Sequence, residues 1–262
     1  MEYLKKILRD NELTRNFYFF VAKSRRAIKA KKSLSRRLGL LLSFYKDYNY
    51  YRKNNINEKF TIAPEYLFPC IYDNTNSTPL DYTYFYQDSW CAKKIFENKP
   101  KHHYDIGSKA EMIGIISQFT PTTMLDIRPI DVELEGLSFQ KADVLQTGIP
   151  DNSINSLSSI CVLEHIGLGR YGDKIDFFGS EKAMTEVKRI LAPGGNLYIS
   201  LPVDSQNRIY FNAHRAFTRD YILSMFSPLQ LVEEKYIYRT RMFSTYDPSK
   251  GFGTGMFHFK KP

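Results

Sequence analysis

Between Asp151 and Pro202 the hydrophobic pattern changes period twice. Ser156 to Leu163, in which Leu157, Ile160, Cys161, Val162 and Leu163 are set among three small serines, reads as a buried strand. A polar, glycine-bearing loop follows. From Ser180 to Leu191 the apolar residues Ala183, Val187, Ile190 and Leu191 recur at helical spacing. Ser180 is placed to cap that helix, Glu181 lies in its first turn, and Lys188 and Arg189 lie in its last. A Pro-Gly-Gly turn then leads into a second apolar strand, Asn196–Leu201. Strand, loop, helix and strand in this order form the unit of a parallel α/β sheet.

The same reading extends outward. Strands are expected at His103–Ile106, Thr122–Ile127 and Ser138–Ala142, with a helix between the first two carrying Ala110, Ile113, Ile116 and Phe119 inward. After the central unit come a helix at Thr218–Phe226, a strand at Leu229–Tyr238 and a last strand at Met256–Lys260. The last pair is expected to close the sheet edge as an antiparallel hairpin. Asn54 to Pro100 is polar and broken by Pro64, Pro69 and Pro79, with a helix expected only from Asp88 to Asn98. The predicted organisation is a basic helical extension over residues 1–60, a connecting segment over 61–101 that caps the cleft, and an α/β domain over 102–262.

Charge changes the picture at the N-terminus. Residues 1–53 hold 15 Lys or Arg against 4 Asp or Glu, a local net of +11, whereas the whole chain is +9. The remainder is therefore slightly acidic. The basic residues alternate with apolar clusters at Phe17–Val21 and Leu38–Leu42. Such a segment rests on an anionic membrane surface, docks nucleic acid, or packs on its own domain with its charges outward. Nucleic acid has the least support, because no nucleic-acid motif accompanies the charge. A peripheral membrane contact through residues 1–53 remains an expectation. No apolar run is long enough to span a bilayer, and the first residues lack the pattern of a secretion signal. Cys70, Cys91 and Cys161 form no CxxC pair, which suits reduced thiols in a cytoplasmic protein.

Candidate chemistry gathers in the loop after the central strand, which holds Glu164, His165, Arg170, Tyr171, Asp173 and Asp176. Open α/β sheets bind ligands at the carboxyl ends of their strands. His165 and His214 are candidate bases, because imidazole accepts a proton near neutral pH. Asp173 is a further catalytic candidate. Arg170 and Arg215 suit an anion, since a guanidinium bonds two oxygens at once, and Tyr171 and Asn212 complete a polar acceptor surface. No metal-ligand spacing is present, and no metal is expected. His102 and His103 are expected to be structural and His258 to lie at the surface.

The order of elements, with PDNSINSLSSICVLEHI and LAPGGNLYISLP as its best-matching stretches, resembles the class I S-adenosylmethionine-dependent methyltransferases over residues 102–262. The resemblance implies a Rossmann-like, mostly parallel seven-stranded sheet with an antiparallel last strand. It also implies S-adenosylmethionine as cofactor, with Asp126 on its ribose and Asp143 near its adenine. Asp105, Gly107, Ser108, Ile127, Val144 and Leu163 complete the implied cofactor contacts. The motifs YFYQDSW, HYDIGS, LDIRP, EHIGLGRYGD and NAHRAF resemble a narrower, uncharacterised subfamily associated with bacterial surface-polysaccharide biosynthesis. That likeness implies O-methylation of a sugar, sugar nucleotide or glycan precursor in the cytoplasm, at or near the inner face of the membrane. The glycine loop departs from the family's DxGxGxG: Lys109 and Glu111 stand where the second and third glycines belong. This departure leaves open a non-catalytic scaffold, or another sugar-modifying reaction in the same cleft.

Overall fold

The computed structural model describes residues 34–262. Chain contacts separate a first unit, up to Pro79, from a second unit, Leu80 to Pro262. In the first unit, α1 (Leu34–Asn54) exposes Leu38, Leu42, Tyr45, Tyr50 and Tyr51. The Phe17–Val21 cluster lies outside the described residues.

The second unit opens with α2 (Tyr82–Asn98), whose N-cap Asp81 accepts from the N–H groups of Thr83 and Tyr84 at 3.0 and 3.2 Å. The helix starts well before Asp88 because Asp81 satisfies these first amides. Trp90, Cys91 and Ile95 are buried with Ile113, Ile116, Met124, Ile160 and Tyr198. Each large side chain so buried contributes about 1.5–3 kcal/mol, enough to bind α2 to the sheet. The compact unit that holds the sheet thus runs from Leu80 and includes α2.

The strands are β1 (His103–Ile106), β2 (Thr122–Asp126), β3 (Leu137–Lys141), β4 (Ile154–Ile160), β5 (Leu191–Val203), β6 (Arg208–Tyr210), β7 (His214–Ala216), β8 (Gln230–Tyr238), β9 (Arg241–Phe243) and β10 (Gly253–Lys260). Eight form one sheet, ordered β3-β2-β1-β4-β5-β10-β8-β9, and β6 and β7 form a separate ribbon. The first five strands of that order are parallel, and β10 is antiparallel to both neighbours. The expected hairpin exists, but β10 inserts between β5 and β8, and the short β9 takes the edge. His258 is accordingly buried rather than exposed. Its Nε2 lies 2.8 Å from Asn196 Oδ1, and burial pushes its pKa down to about 4. His103 is buried between the hydroxyls of Ser156 and Ser158, as expected of a structural residue.

Helices cover both faces. On one, α2 packs beside α3 (Ala110–Ser117). On the other, α4 (Gly179–Ile190) and α5 (Arg219–Phe226) close a core containing Met184, Val187, Ile190, Leu197, Ile199 and Phe226. Ser180 is not the cap of α4. It is buried in the first turn, where its hydroxyl donates to Leu163 O at 2.7 Å. A Cβ on Gly179 would lie 2.5 Å from Ile166 O, so only glycine lets α4 begin against the preceding loop. The chain runs outward from β1 to β3 and then returns to β4. This reversal opens a crevice at the carboxyl ends of β1 and β4.

Candidate active site

Two adjoining cavities of about 710 and 520 Å³ occupy that crevice. Gly107, Asp126, Arg128, Cys161, His165 and Tyr171 line both. The larger also takes in Tyr84, Ser108, Lys109, Glu164, Arg170, His214 and Phe252. The smaller takes in Ile127, Asp143, Val144, Val162, Asp173 and Ile175.

The floor is the turn after β1. Gly107 has φ of +64°, a conformation that costs an L-residue about 1–2 kcal/mol. A Cβ there would stand 3.1 Å from Val162 Cγ1 and 3.6 Å from Asp126 Oδ2. The two departures from the glycine pattern are accommodated. Lys109 has φ of −64°, and Glu111 is already in α3, so neither position requires glycine. The Glu111 carboxylate points outward, 73% exposed, and pairs with Lys109 at 3.7 Å. Asp105 does not reach the cleft. It is fully buried and accepts from Ser108 N at 2.9 Å, Ser108 Oγ at 2.6 Å and the Ser158 hydroxyl. Burial pushes its pKa up to about 6 against the pull of these bonds. Its place is beneath the turn. Leu163 likewise belongs to the core and not to the cleft wall.

At the end of β2, Asp126 Oδ1 accepts from Arg128 N at 2.8 Å. The Arg128 guanidinium approaches both carboxylate oxygens at 3.3 Å. Asp143 Oδ1 accepts from Leu145 N at 2.9 Å, which orients that carboxylate at the rim of the smaller cavity.

The two histidines meet in the larger cavity. His165 sits in the turn after β4 and His214 on β7, with ring centroids 6.5 Å apart. His165 Nδ1 is 2.7 Å from Ala213 O. A carbonyl at that distance requires a donor, which assigns the proton to Nδ1 and leaves the Nε2 lone pair unprotonated. Burial pushes the His165 pKa down to about 4, and Arg170 acts in the same direction. Burial also lowers that of His214, whose Nε2 is enclosed without a protein partner. Beside them Glu164 is 1% exposed, and burial pushes its pKa up to about 8. Its Oε2 has no partner.

Three expected site residues do not line the larger cavity. Arg215 is 5% exposed and lines neither cavity. Its guanidinium donates to Ile166 O at 2.6 Å, Asp176 O at 2.9 Å and Ser180 Oγ at 3.1 Å, so it clamps the loop after β4. Asn212 is exposed and away from both cavities. Asp173 lines only the smaller cavity, and its oxygens accept from Gly167 N, Gly169 N and Tyr171 N at 2.7, 3.2 and 3.2 Å. Burial opposes ionisation of Asp173, but these amides outweigh it and hold its pKa below the ordinary value. It shapes the loop and does not face the histidines.

Arg170 and Tyr171 do line the cleft. Arg170 Nη1 donates to Ala213 O at 2.9 Å, and the Tyr171 ring is flanked by Arg128 at 4.7 Å and Arg170 at 5.0 Å. The contribution of Arg128 was not anticipated. Its signals in the sequence are its place in the LDIRP motif and a position two residues beyond the strand-terminal Asp126.

A family model described as "Caenorhabditis protein of unknown function, DUF268" matches residues 146–242, from before β4 to within β9. No curated protein matches the chain. Among solved structures, a candidate sarcosine dimethylglycine methyltransferase from Galdieria sulphuraria aligns with TM-score 0.51 and 13% identity, over 68% of this chain and 86% of that one. N-methyltransferase NodS from Bradyrhizobium japonicum aligns with TM-score 0.50 and 14% identity, over 70% and 98% of the two chains. These likenesses show the fold, the Rossmann-like α/β fold of methyltransferases.

Proposed function

We propose that the chain is an S-adenosylmethionine-dependent O-methyltransferase. Its acceptor is an anionic sugar, sugar nucleotide or glycan precursor of surface-polysaccharide biosynthesis. One observation carries the reading: the His165 imidazole, its Nδ1 held at Ala213 O, lines the same crevice as the strand-terminal carboxylate of Asp126.

The residues fit the cofactor. Asp126 offers acceptor oxygens to a pair of ribose hydroxyls, and Gly107 keeps side-chain atoms off the turn beneath. Lys109 supplies a cation for a carboxylate. Asp143, Ile127 and Val144 make a rim of one polar and two apolar groups suited to a purine. When bound, S-adenosylmethionine supplies an electrophilic methyl group. His165 Nε2 then takes the proton of the acceptor hydroxyl as oxygen attacks, and His214 lies close enough to orient the same hydroxyl. Arg128, Arg170 and Tyr171 favour an acceptor with both a negative charge and a ring face. The sugar class and the biosynthetic setting rest on the motif resemblance, and a cytoplasmic location, peripheral to the membrane, goes with them. Among the described residues, no helix is long and apolar enough to cross a membrane.

Calorimetric titration with S-adenosylmethionine and S-adenosylhomocysteine tests the reading. Binding of both at micromolar concentration, abolished or strongly weakened in Asp126→Ala, is expected. Absence of binding at millimolar concentration overturns it.

A further inference from the structure

The ion pair between Asp126 and Arg128 stands in the path of both partners the cleft is built for. Arg128 N donates to Asp126 Oδ1 at 2.8 Å and fixes the carboxylate. The guanidinium contacts are longer, at 3.3 Å from Nε to Oδ1 and 3.3 Å from Nη2 to Oδ2. Ordinary charge-assisted contacts are about 2.7–2.9 Å, so this pair is loosely made and readily exchanged. The Asp126 side chain is 10% exposed and the Arg128 side chain 59%. The acid is fixed in the wall, and the cation is free to turn into the cleft. The face of Tyr171, 4.7 Å from the Arg128 guanidinium carbon, limits how far it can swing, and Arg170 lies 5.0 Å from the same ring.

We infer that Arg128 is an acceptor-binding residue masked by Asp126 until the cofactor binds. The inference rests on the cofactor reading above. A ribose that takes the oxygens of Asp126 displaces the Arg128 guanidinium and leaves its N–H fork unpaired. Still held at Tyr171, that fork turns with Arg170 toward a phosphate or carboxylate of the acceptor. The cleft then recognises an anionic acceptor only once the cofactor is in place. Binding of each partner strengthens binding of the other, because coupling between two equilibria is reciprocal.

The test uses the full chain, with S-adenosylhomocysteine as the cofactor probe and inorganic pyrophosphate as the anion probe. Calorimetry gives the pyrophosphate dissociation constant with and without saturating S-adenosylhomocysteine. The ratio of the two is the readout, since anions held by the basic N-terminal stretch contribute equally to both. The wild type is expected to bind pyrophosphate about tenfold more tightly with S-adenosylhomocysteine present, within the usual range of coupling between sites. In Arg128→Ala the ratio falls to about one, while S-adenosylhomocysteine binds as well as in the wild type or better. In Asp126→Asn pyrophosphate binds more tightly without S-adenosylhomocysteine, because the mask is weakened. A ratio near one in the wild type, or a tenfold ratio that survives in Arg128→Ala, overturns the inference and leaves the cofactor reading standing. Failure of S-adenosylhomocysteine to bind either protein overturns both.

Discussion

His165 Nε2 lies 3.6 Å from Glu164 Oε1, and the two groups are displaced from ordinary ionisation in opposite directions. Burial pushes His165 down to about 4 and Glu164 up to about 8. Between those values the imidazole is neutral and the carboxyl keeps its proton. The neutral imidazole is the form that can act as a base, and the protonated Glu164 adds no negative charge to a cleft suited to an anion.

Turnover should therefore rise with pH through about 4, as His165 loses its proton, and fall through about 8, as ionised Glu164 comes to repel an anionic acceptor. His165→Ala should lower kcat by about 10²–10⁴ with little change in cofactor affinity, as for loss of a general base. Glu164→Gln, which cannot ionise, should lose the alkaline fall. A pH–rate profile of Glu164→Gln with an unchanged alkaline limb would remove Glu164 from the reaction.

Stability should follow the same two groups. The folded pKa of Glu164, about 8, is above its unfolded value of 4.5. The stability it contributes is full below about 4.5 and is lost as pH rises to about 8. His165 is depressed from 6.5 to about 4, so its contribution is present above 6.5 and lost as pH falls toward 4. Relative to Glu164→Gln, the wild type should lose melting temperature between pH 5 and 9. A difference that stays flat across this range contradicts the assignment.

Gly107→Ala should weaken binding of S-adenosylhomocysteine and cost about 1–2 kcal/mol of stability, because its φ is +64° and its Cβ would crowd Val162. Asp126→Ala should reduce affinity by about 1–3 kcal/mol through lost charge-assisted bonds. Denaturation and calorimetric titration read the two effects separately. Equal affinity in both variants and the wild type would locate the cofactor elsewhere.

Arg215→Ala should act on folding rather than recognition. It takes a donor from the part-buried Ile166 and Asp176 carbonyls; Asp176 O keeps Gly179 N, so the cost is about 1–3 kcal/mol for the Ile166 carbonyl left unpaired. Asn212→Ala should change neither stability nor turnover. Urea denaturation of both variants checks this contrast, and a fully stable Arg215→Ala would return Arg215 to the list of acceptor contacts.

Residues 1–53, with a net charge of +11, are expected to hold the protein on anionic vesicles. Each Lys or Arg near such a surface is worth about 1 kcal/mol, screened over about 8 Å at physiological ionic strength. Co-sedimentation should therefore weaken with salt and disappear when residues 1–53 are deleted. A truncated chain that stays bound, or that becomes insoluble, would mean that this stretch packs on its own protein instead.

Much of the fold was legible in the sequence because it depends on short-range periodicity. The stretch Ser156–Leu163 and the helical spacing of Ala183, Val187 and Ile190 determined β4 and α4 within a few residues. Asp126 closes β2 and Gly107 follows β1, as the strand reading expected, while the cofactor roles given to them came from the family resemblance. The cap at Asp81 was not read from the sequence, and the aromatic run after it lacks a clear helical stripe, so α2 was foreseen only in part.

Only the tertiary structure decided what each polar side chain does. The fate of a charged group depends on which carbonyls and amides surround it, and those come from distant parts of the chain. Arg215 meets Ile166 and Asp176 because β7 lies beside the loop after β4, so a predicted acceptor ligand became a clamp. Asp173 turned to three backbone amides of its own loop. Insertion of β10 between β5 and β8 buried His258, which its own neighbours in sequence had marked for the surface. Arg128 became part of the site because the fold brings Tyr171 of another loop against it. Local pattern sets which segments form strands and helices, since that free energy is gained among neighbours. Long-range packing sets which charges remain free to act.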